Sequence, residues 1–460
     1  MLESIIYFLK AVFAVIFVLG IAINIHEFGH FIVARLLGMR VEAFSFFGIG
    51  PRIWGFKRGH TDYRISAIPL GAYVKLYGDE ATSSLEGGSS VGEDVPKEEL
   101  YELRPRWQKF LVMLGGPFMN IVLALFIPFS LGWTMGIPAD PPPIVGEIKP
   151  GGAADKAGIL KGDRIVAFDG VKEPSWSRIV EEAFTIAGRE TDVTVERGGK
   201  TLNLKIKPDI RTIQGNKIGE LGISPEDFIE QVVVGEVAAG MPAEKAGVKT
   251  GDRIAAVNGK TIKNVNDLKE AINKEGTSPI SLSVERNGQN LSIPVKPVDS
   301  NNGLVIGIAF DKGRQKVGPL GAAAYAFDFN WKMLRMTGKV FSQIFSGEKN
   351  VRDGGIAGPI GIVKQISSTA NAGEMSILGL FLVLLQMLTM ISLNLGVFNL
   401  LPIPLLDGGQ IMVLGIEGLM AGFGKTLSMA VKEKIQLAGF GMIITLMILV
   451  FYFDISGLFK

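Results

Sequence analysis

The sequence predicts an α-helical polytopic membrane protein with four transmembrane helices, interrupted by a pair of β-rich units. Two observations predict it. Four long apolar runs punctuate the 460 residues, and the stretch between the second and third runs contains one motif set written twice. Hydrophobic residues make up 47% of the chain and charged residues only 20%, a balance that suits bilayer spans joined to water-soluble parts. A net charge of +2 is too small to imply a nucleic-acid partner. The lipid bilayer is therefore the first partner the chain calls for.

The first run covers roughly Ile5 to Leu37, broken by Lys10 and a His/Glu cluster, and the second covers Leu111 to Gly136. The third, Met375 to Leu406, carries no charge over 32 residues, and the fourth is Gln436 to Phe453. Each is long enough, or nearly so, to cross a hydrocarbon core of about 30 Å. The third exceeds one upright helix and contains Pro402 and Pro404, so a helix should end near Asn394–Asn399 and give way to unwound backbone. Such backbone is tolerated at membrane depth only inside protein or beside a wet cavity. The first run lacks a basic leader, carries Glu3, and has no small-residue cleavage site, so it is expected to be a retained helix.

Lys and Arg near the span ends set the orientation. Arg35 and Arg40 open the segment between runs one and two, and Lys97, Arg104, Arg106 and Lys109 close it. Lys425, Lys432 and Lys434 lie between runs three and four. Both connections are expected in the cytoplasm, leaving the termini and the long middle region outside.

Residues 144–297 hold two copies of one unit at an offset of 89 residues. Val145-Gly146-Glu147-Ile148 answers Val234-Gly235-Glu236-Val237, and Gly162-Asp163-Arg164-Ile165 answers Gly251-Asp252-Arg253-Ile254. Lys156-Ala157-Gly158 and Val195-Glu196-Arg197 recur likewise as Lys245-Ala246-Gly247 and Val284-Glu285-Arg286. Asp169-Gly170 and Asn258-Gly259 are type I′ hairpin signals, each followed by an amphipathic helix, 176–187 and 265–273. The unit resembles the PDZ domain, which binds an extended peptide at a sheet edge. Glu220-Leu221-Gly222-Ile223 fits the groove turn of such a domain and is expected to serve the second copy, with Leu221, Gly222 and Ile223 touching peptide. The first copy shows only Pro141-Pro142-Pro143 upstream and no such turn. Both copies could equally act as rigid filters.

The chain has no cysteine, which excludes thiolate metal sites, and only three histidines. Two of them stand in His26-Glu27-Phe28-Gly29-His30. On a helix, residues four apart share a face, so both imidazoles can reach one metal ion, and Glu27 lies close enough to take a proton from water there. Ionisable groups in a membrane helix are costly and mark function. A catalytic zinc usually takes a third protein ligand. His60 is one option, but it reads as a solvated turn. Asp407 is the better one, being the first charge after the long uncharged run and flanked by Gly408 and Gly409.

With the His-Glu-x-x-His in the first span, the tandem units, and Asn399 to Gly408 reading Asn-x-x-Pro-x-x-x-x-Asp-Gly, the chain resembles the site-2 protease family over essentially its whole length. The resemblance implies an intramembrane zinc metalloprotease in which His26, His30 and Asp407 bind Zn2+ and Glu27 is the catalytic base. It also implies that Asn399 and Pro402 handle substrate. The expected substrate is a single-span membrane protein, such as an anti-sigma factor already trimmed outside, with remnant signal peptides as a second class. The setting is a bacterial inner membrane, with the active site towards the cytoplasm. Val41–Phe56 and Tyr63–Tyr77 become a membrane-associated β-sheet that offers an edge to substrate. Leu320–Phe345 becomes an amphipathic outer helix that gates entry. Gly115-Gly116-Pro117 and Asn120 resemble a family motif, for whose glycines close packing is the simplest role.

The chain divides accordingly into span one (1–38), the hairpin loop (39–107), span two (108–137), PDZ units at 138–219 and 220–312, and the outer helix region (313–373). Span three with its cytoplasmic loop (374–435) and span four with the tail (436–460) complete it. The competing reading, a membrane-anchored PDZ scaffold with a vestigial metal site, leaves the intact His26, Glu27, His30 and Asp407 without a purpose.

Overall fold

The computed structural model describes residues 2–68, 71–78, 95–213, 216–226, 232–238, 240–300, 303–310, 313–347, 359–370, 377–425 and most of 428–448. Three helices are long and apolar enough to cross a membrane: Ile5–Leu36, Arg106–Met135 and Ile377–Asn399. They are spans one, two and three. In the fourth apolar run, the described residues up to 448 are helical, and the tail beyond lies outside the described residues. Span one is not a uniform α-helix. Its α-helical parts, Leu2–Val15 and Ile21–Leu36, are joined by a π-helical turn at Ile16–Gly20. Asn24 donates to the Gly20 carbonyl at 2.7 Å just beyond that turn. Ile5, Phe8, Leu9 and Phe13 stay exposed on the outside of span one, as a lipid-facing surface requires. Ala14, Val18 and Ala22 bury its other side against Ile127 of span two and Leu384 and Leu388 of span three.

The stretch after span one forms a four-stranded sheet of β1 (Val41–Phe46), β2 (Ile49–Arg58), β3 (Thr61–Ile68) and β4 (Tyr73–Leu76), in the order β2-β3-β1-β4. Val41 and Phe44 of β1 and Leu76 of β4 are buried against Phe31 and Ala34 of span one and Val112 and Met113 of span two. Burial of each such large side chain contributes about 2 kcal/mol, enough to fix the sheet to the helices. The outer strand β2 instead exposes Ile53, Trp54 and Phe56. The β1–β2 turn places the Phe47 ring against Gly20, where a Cβ would lie 2.7 Å from Phe47 Cε1.

Each repeated unit has its own core. In the first, Val145, Ile165, Phe168, Trp176, Ile179 and Val195 close together; in the second, Val234, Ile254, Val257, Leu268, Leu282 and Val284 do. Asp169-Gly170 and Asn258-Gly259 take the positive φ angles that a type I′ turn needs, 47° and 79°, then 49° and 80°. The amphipathic helices span Trp176–Thr185 and Val265–Glu275. One expectation is corrected here. Leu221-Gly222-Ile223 belongs to the first unit, not the second: Ile223–Pro225 pairs antiparallel with Val145–Ile148, and Leu221 is buried in the first core. The second unit has its own equivalent at Ile306-Gly307-Ile308, where Ile308–Phe310 pairs with Val232–Val237. The boundary between the units therefore falls between Pro225 and Val232 rather than at 219/220, because the closing strand of each sheet arrives from the C-terminal end of its unit.

The repeated Gly-Asp-Arg-Ile and Val-Glu-Arg motifs meet in space. Arg197 donates to both oxygens of Asp163 at 2.7 Å and to the Gly158 carbonyl at 2.8 Å. Arg286 repeats this on Asp252, at 2.6 and 2.7 Å, and on the Gly247 carbonyl. Both aspartates are buried. Burial alone would raise their pKa values, but the arginine hydrogen bonds, a backbone N–H and the arginine charge together hold both below the ordinary carboxylate value. A depressed carboxylate stabilises the fold above its unfolded pKa, and that stability is lost as pH falls through the folded value. The thermal midpoint of the unit pair in the purified protein should therefore fall steeply below about pH 4. Asp163→Asn with Asp252→Asn should lower the midpoint at neutral pH and flatten that fall. An unchanged acid slope in the double variant would remove these pairs from the account.

The outer helix runs over Pro319–Phe345 and exposes Leu320, Phe327, Trp331 and Phe345. Its inner side is tied in two places. Asn330 donates to the Ala124 carbonyl of span two at 2.9 Å. Further along, Arg335 pairs with Glu181 at 2.9 Å, Lys339 pairs with Glu182 and Asp169, and Gln343 donates to the Thr185 carbonyl at 3.1 Å. The basic residues thus dock the helix on the first unit. The chain's exit from span two and its entry into this helix are joined by a short ladder of Ile137–Pro138 with Arg314–Gln315.

Candidate metal centre

The centre is built where spans one, two and three meet. The predicted helix carries His26 and His30 on one face, with ring centroids 4.9 Å apart and Nε2 atoms 3.3 Å apart. Span three ends at Asn399, and residues 400–406 turn back through an unwound segment, as its prolines require. Leu405 sits there at a φ of 82°, a strained conformation for a branched side chain that costs on the order of 1–3 kcal/mol. The segment delivers Asp407 as the first residue of the helix Asp407–Gly422. Gly408 and Gly409 let this helix start close under the preceding loop: a Cβ on either would lie 2.2–2.3 Å from backbone atoms of Leu400 or Ile403.

Asp407 Oδ2 lies 3.2 Å from His26 Nε2, and its Oδ1 lies 3.4 Å from His30 Nε2. Ligand atoms of His26, His30 and Asp407 all fall within 4.8 Å of one another, and the two imidazoles are buried. Two imidazoles and one carboxylate converging from separate helices are the donor set and open geometry of a catalytic zinc. Among the described residues, no other His, Asp or Glu cluster of that kind is formed. His60 lies exposed in the β2–β3 turn and takes no part.

Glu27 is half-buried next to His26, and its carboxylate accepts the Val74 N–H of β4 at 3.2 Å. The β4 edge of the four-stranded sheet therefore runs past the centre. Asn399 Nδ2 lies 3.2 Å from His26 Nε2, so this predicted substrate-handling residue stands at the centre. Pro402 is exposed on the loop below it. Leu221, Gly222 and Ile223 are elsewhere, lining a groove of about 850 Å³ in the first unit together with Trp176, Ile179 and Val180.

Sequence reasoning left the role of the span-two glycines open beyond packing. Spans one and two touch backbone to backbone: a Cβ on Gly29 would lie 2.1 Å from the Gly115 carbonyl oxygen. A Cβ on Gly116 would lie 2.3 Å from His30 Nε2 and 2.8 Å from His26 Cε1. Gly29 and Gly115 let the two backbones meet, and Gly116 makes room for the imidazoles themselves. Val112 was also missed; its carbonyl stands 2.7 Å from His30 Nδ1. A carbonyl can only accept, so it fixes the proton on Nδ1 and leaves Nε2 free for a metal.

The model of peptidase family M50 matches residues 14–446. The chain belongs to peptidase family M50. It is accordingly a zinc metalloprotease of the site-2 type and a multi-pass membrane protein. Its relatives match over more than nine-tenths of both chains. The regulator of sigma-E protease RseP of Salmonella typhimurium is 31% identical, covering 92% of each chain. RseP of Escherichia coli is 30% identical over 96% of this chain and 97% of its own. A putative zinc metalloprotease of Vibrio cholerae is 32% identical over 93% of each. Among solved structures, the PDZ domain of an SdrC-like protein from Listeria monocytogenes matches 18% of this chain and 88% of its own, at 20% identity and a TM-score of 0.17.

Proposed function

We propose that His26, His30 and Asp407 hold the zinc ion and Glu27 is the proton acceptor, in an enzyme that cuts single-span membrane proteins after their outer domains have been trimmed. The observation that carries the reading is the convergence of Asp407 on His26 and His30 across a gap of 377 residues between Asp407 and His30. Zinc held there would supply Lewis acidity and lower the pKa of a water. Glu27 is placed to take a proton from an attacking water and return it to the departing amine. Asn399, beside His26, donates its amide towards the oxygen of the bond being cut. The edge of β4 offers backbone pairing, which would unwind a helical substrate and expose its scissile carbonyl.

In this reading the protein sits in a bacterial inner membrane with both termini outside and the zinc centre towards the cytoplasm. The repeated units are PDZ domains on the outer side, where they exclude substrates with bulky outer domains. An anti-sigma factor is the substrate that the family resemblance implies, in keeping with relatives named regulator of sigma-E protease, with remnant signal peptides as a second class. The outer helix, held to the first unit by Arg335 and Lys339, gates lateral entry.

The reading is tested with one single-span substrate in two forms, trimmed and untrimmed, in reconstituted vesicles. The intact protein should cut only the trimmed form. Deleting residues 140–312 should permit cleavage of both. The deletion leaves Ile137–Pro138 and Arg314–Gln315 adjacent, as they already are in the ladder between them. If the intact protein cuts neither form, the substrate class is wrong. If the folded, zinc-loaded deletion variant loses the trimmed form, the PDZ units deliver substrate rather than filter it.

A further inference from the structure

Asn120 is fully buried in the middle of span two and meets both neighbouring spans. Its side-chain amide lies 3.2 Å from His26 Nδ1 on span one. Ser392 on span three donates its hydroxyl at 3.1 Å to the Asn120 backbone carbonyl and lies 3.2 Å from Oδ1. The two metal-facing imidazoles are thus supported differently. His30 has a backbone carbonyl on Nδ1 and can hold its proton only there. His26 has an amide, which offers a donor on one end and an acceptor on the other, and which is equally well shaped when turned over.

The arrangement with Nδ2 towards His26 places the imidazole proton on Nε2, where it can bond Asp407 Oδ2 at 3.2 Å. That tautomer cannot bind a metal through Nε2. Turning the amide over presents Oδ1 to His26 Nδ1–H and frees Nε2. Nδ2 then donates to the Ser392 oxygen, while the Ser392 hydroxyl still donates to the Asn120 carbonyl. Every polar group in the buried cluster remains satisfied, as burial demands.

We infer that Asn120 is the positioning residue for His26: its amide oxygen, steadied by Ser392, holds the imidazole in the tautomer and orientation that bind zinc. This rests on the zinc reading of His26, His30 and Asp407. An outer hydrogen-bond partner of a metal histidine is typically worth about 10–100-fold in metal affinity.

The test is zinc competition against a chromophoric chelator, on the purified full chain, for wild type, three variants at Asn120 and Ser392, and His26→Ala as the metal-site control. Asn120→Asp keeps an acceptor of the same shape and should hold zinc as tightly as wild type or tighter. Asn120→Leu fills the same space without an acceptor and should weaken zinc binding about 10–100-fold. Ser392→Ala should weaken it less. Thermal melting of the zinc-free proteins serves as the packing control: a purely structural role would make both Asn120 variants lose stability and zinc together. Asn120→Leu binding zinc like wild type, or Asn120→Asp failing alongside Asn120→Leu, overturns the assignment. If wild type itself holds no zinc, or His26→Ala leaves its zinc undisturbed, the metal reading fails instead, which is a distinguishable result.

Discussion

Replacing Glu27 with Gln should leave one zinc per chain and reduce cleavage by about 1,000-fold or more. The amide is isosteric with the carboxylate and can keep its place beside His26 and Val74, accepting the Val74 N–H through its own oxygen. It cannot take a proton from water. The prediction separates Glu27 from the ligand set: its carboxylate bonds β4, whereas Asp407 faces the two imidazoles. Zinc content by elemental analysis and single-turnover cleavage of a trimmed substrate, measured on the same preparation, check it. Turnover within a few-fold of wild type would remove Glu27 from proton transfer. Loss of zinc would make it a ligand or a support for one.

Gly116→Ala should be nearly as damaging, although it adds only a single methyl group. The new Cβ would stand 2.3 Å from His30 Nε2 and 2.7 Å from its Cε1, inside any allowed contact. His30 cannot swing away without giving up the Val112 carbonyl, and span two can retreat only by opening the close Gly29–Gly115 backbone packing. Zinc affinity should fall by at least about 100-fold, as for loss of a metal-supporting contact, and cleavage with it. Gly338→Ala on the outer helix is the control. No atom lies within 4 Å of its Cβ position, and a helical Ala is preferred over Gly, so stability should be unchanged or raised by up to about 1 kcal/mol. Full zinc binding in Gly116→Ala would show that the spans are looser at the centre than described here.

Much of the centre was legible in the sequence because helix geometry fixes it locally. His26 and His30 are four residues apart, so a helix alone brings them together. Asp407 was legible for a different reason: an isolated carboxylate ending a long uncharged run stands out wherever the chain returns. What sequence could not convey was close approach between helices. The role of Gly116 depends on how spans one and two cross, and the pairing of Asn120 with His26 on the same crossing. The groove turn was misassigned for a topological reason. Leu221-Gly222-Ile223 sits just ahead of the second copy in the chain, yet it closes the sheet of the first by pairing with residues some 75 positions earlier. Its counterpart at Gly307 follows Gly222 by 85 residues, not 89, so the repeat register that exposed the other motifs did not expose this one. From sequence the outer helix reads only as amphipathic, and its basic residues have no assigned partner. Their docking on Glu181, Glu182 and Asp169 depends on the placement of the first unit, which no local pattern encodes.

If two side chains of span one and one from the helix that follows span three hold the metal, metal content per chain tests it most directly. Elemental analysis of purified wild type should give one zinc per chain. Asp407→Ala should retain little zinc and no cleavage activity, because it removes one of three protein donors and leaves Nε2 of His26 and His30 without their carboxylate partner. His60→Ala, in an exposed turn, should change neither quantity. Full zinc occupancy in Asp407→Ala together with zinc loss in His60→Ala would contradict the account.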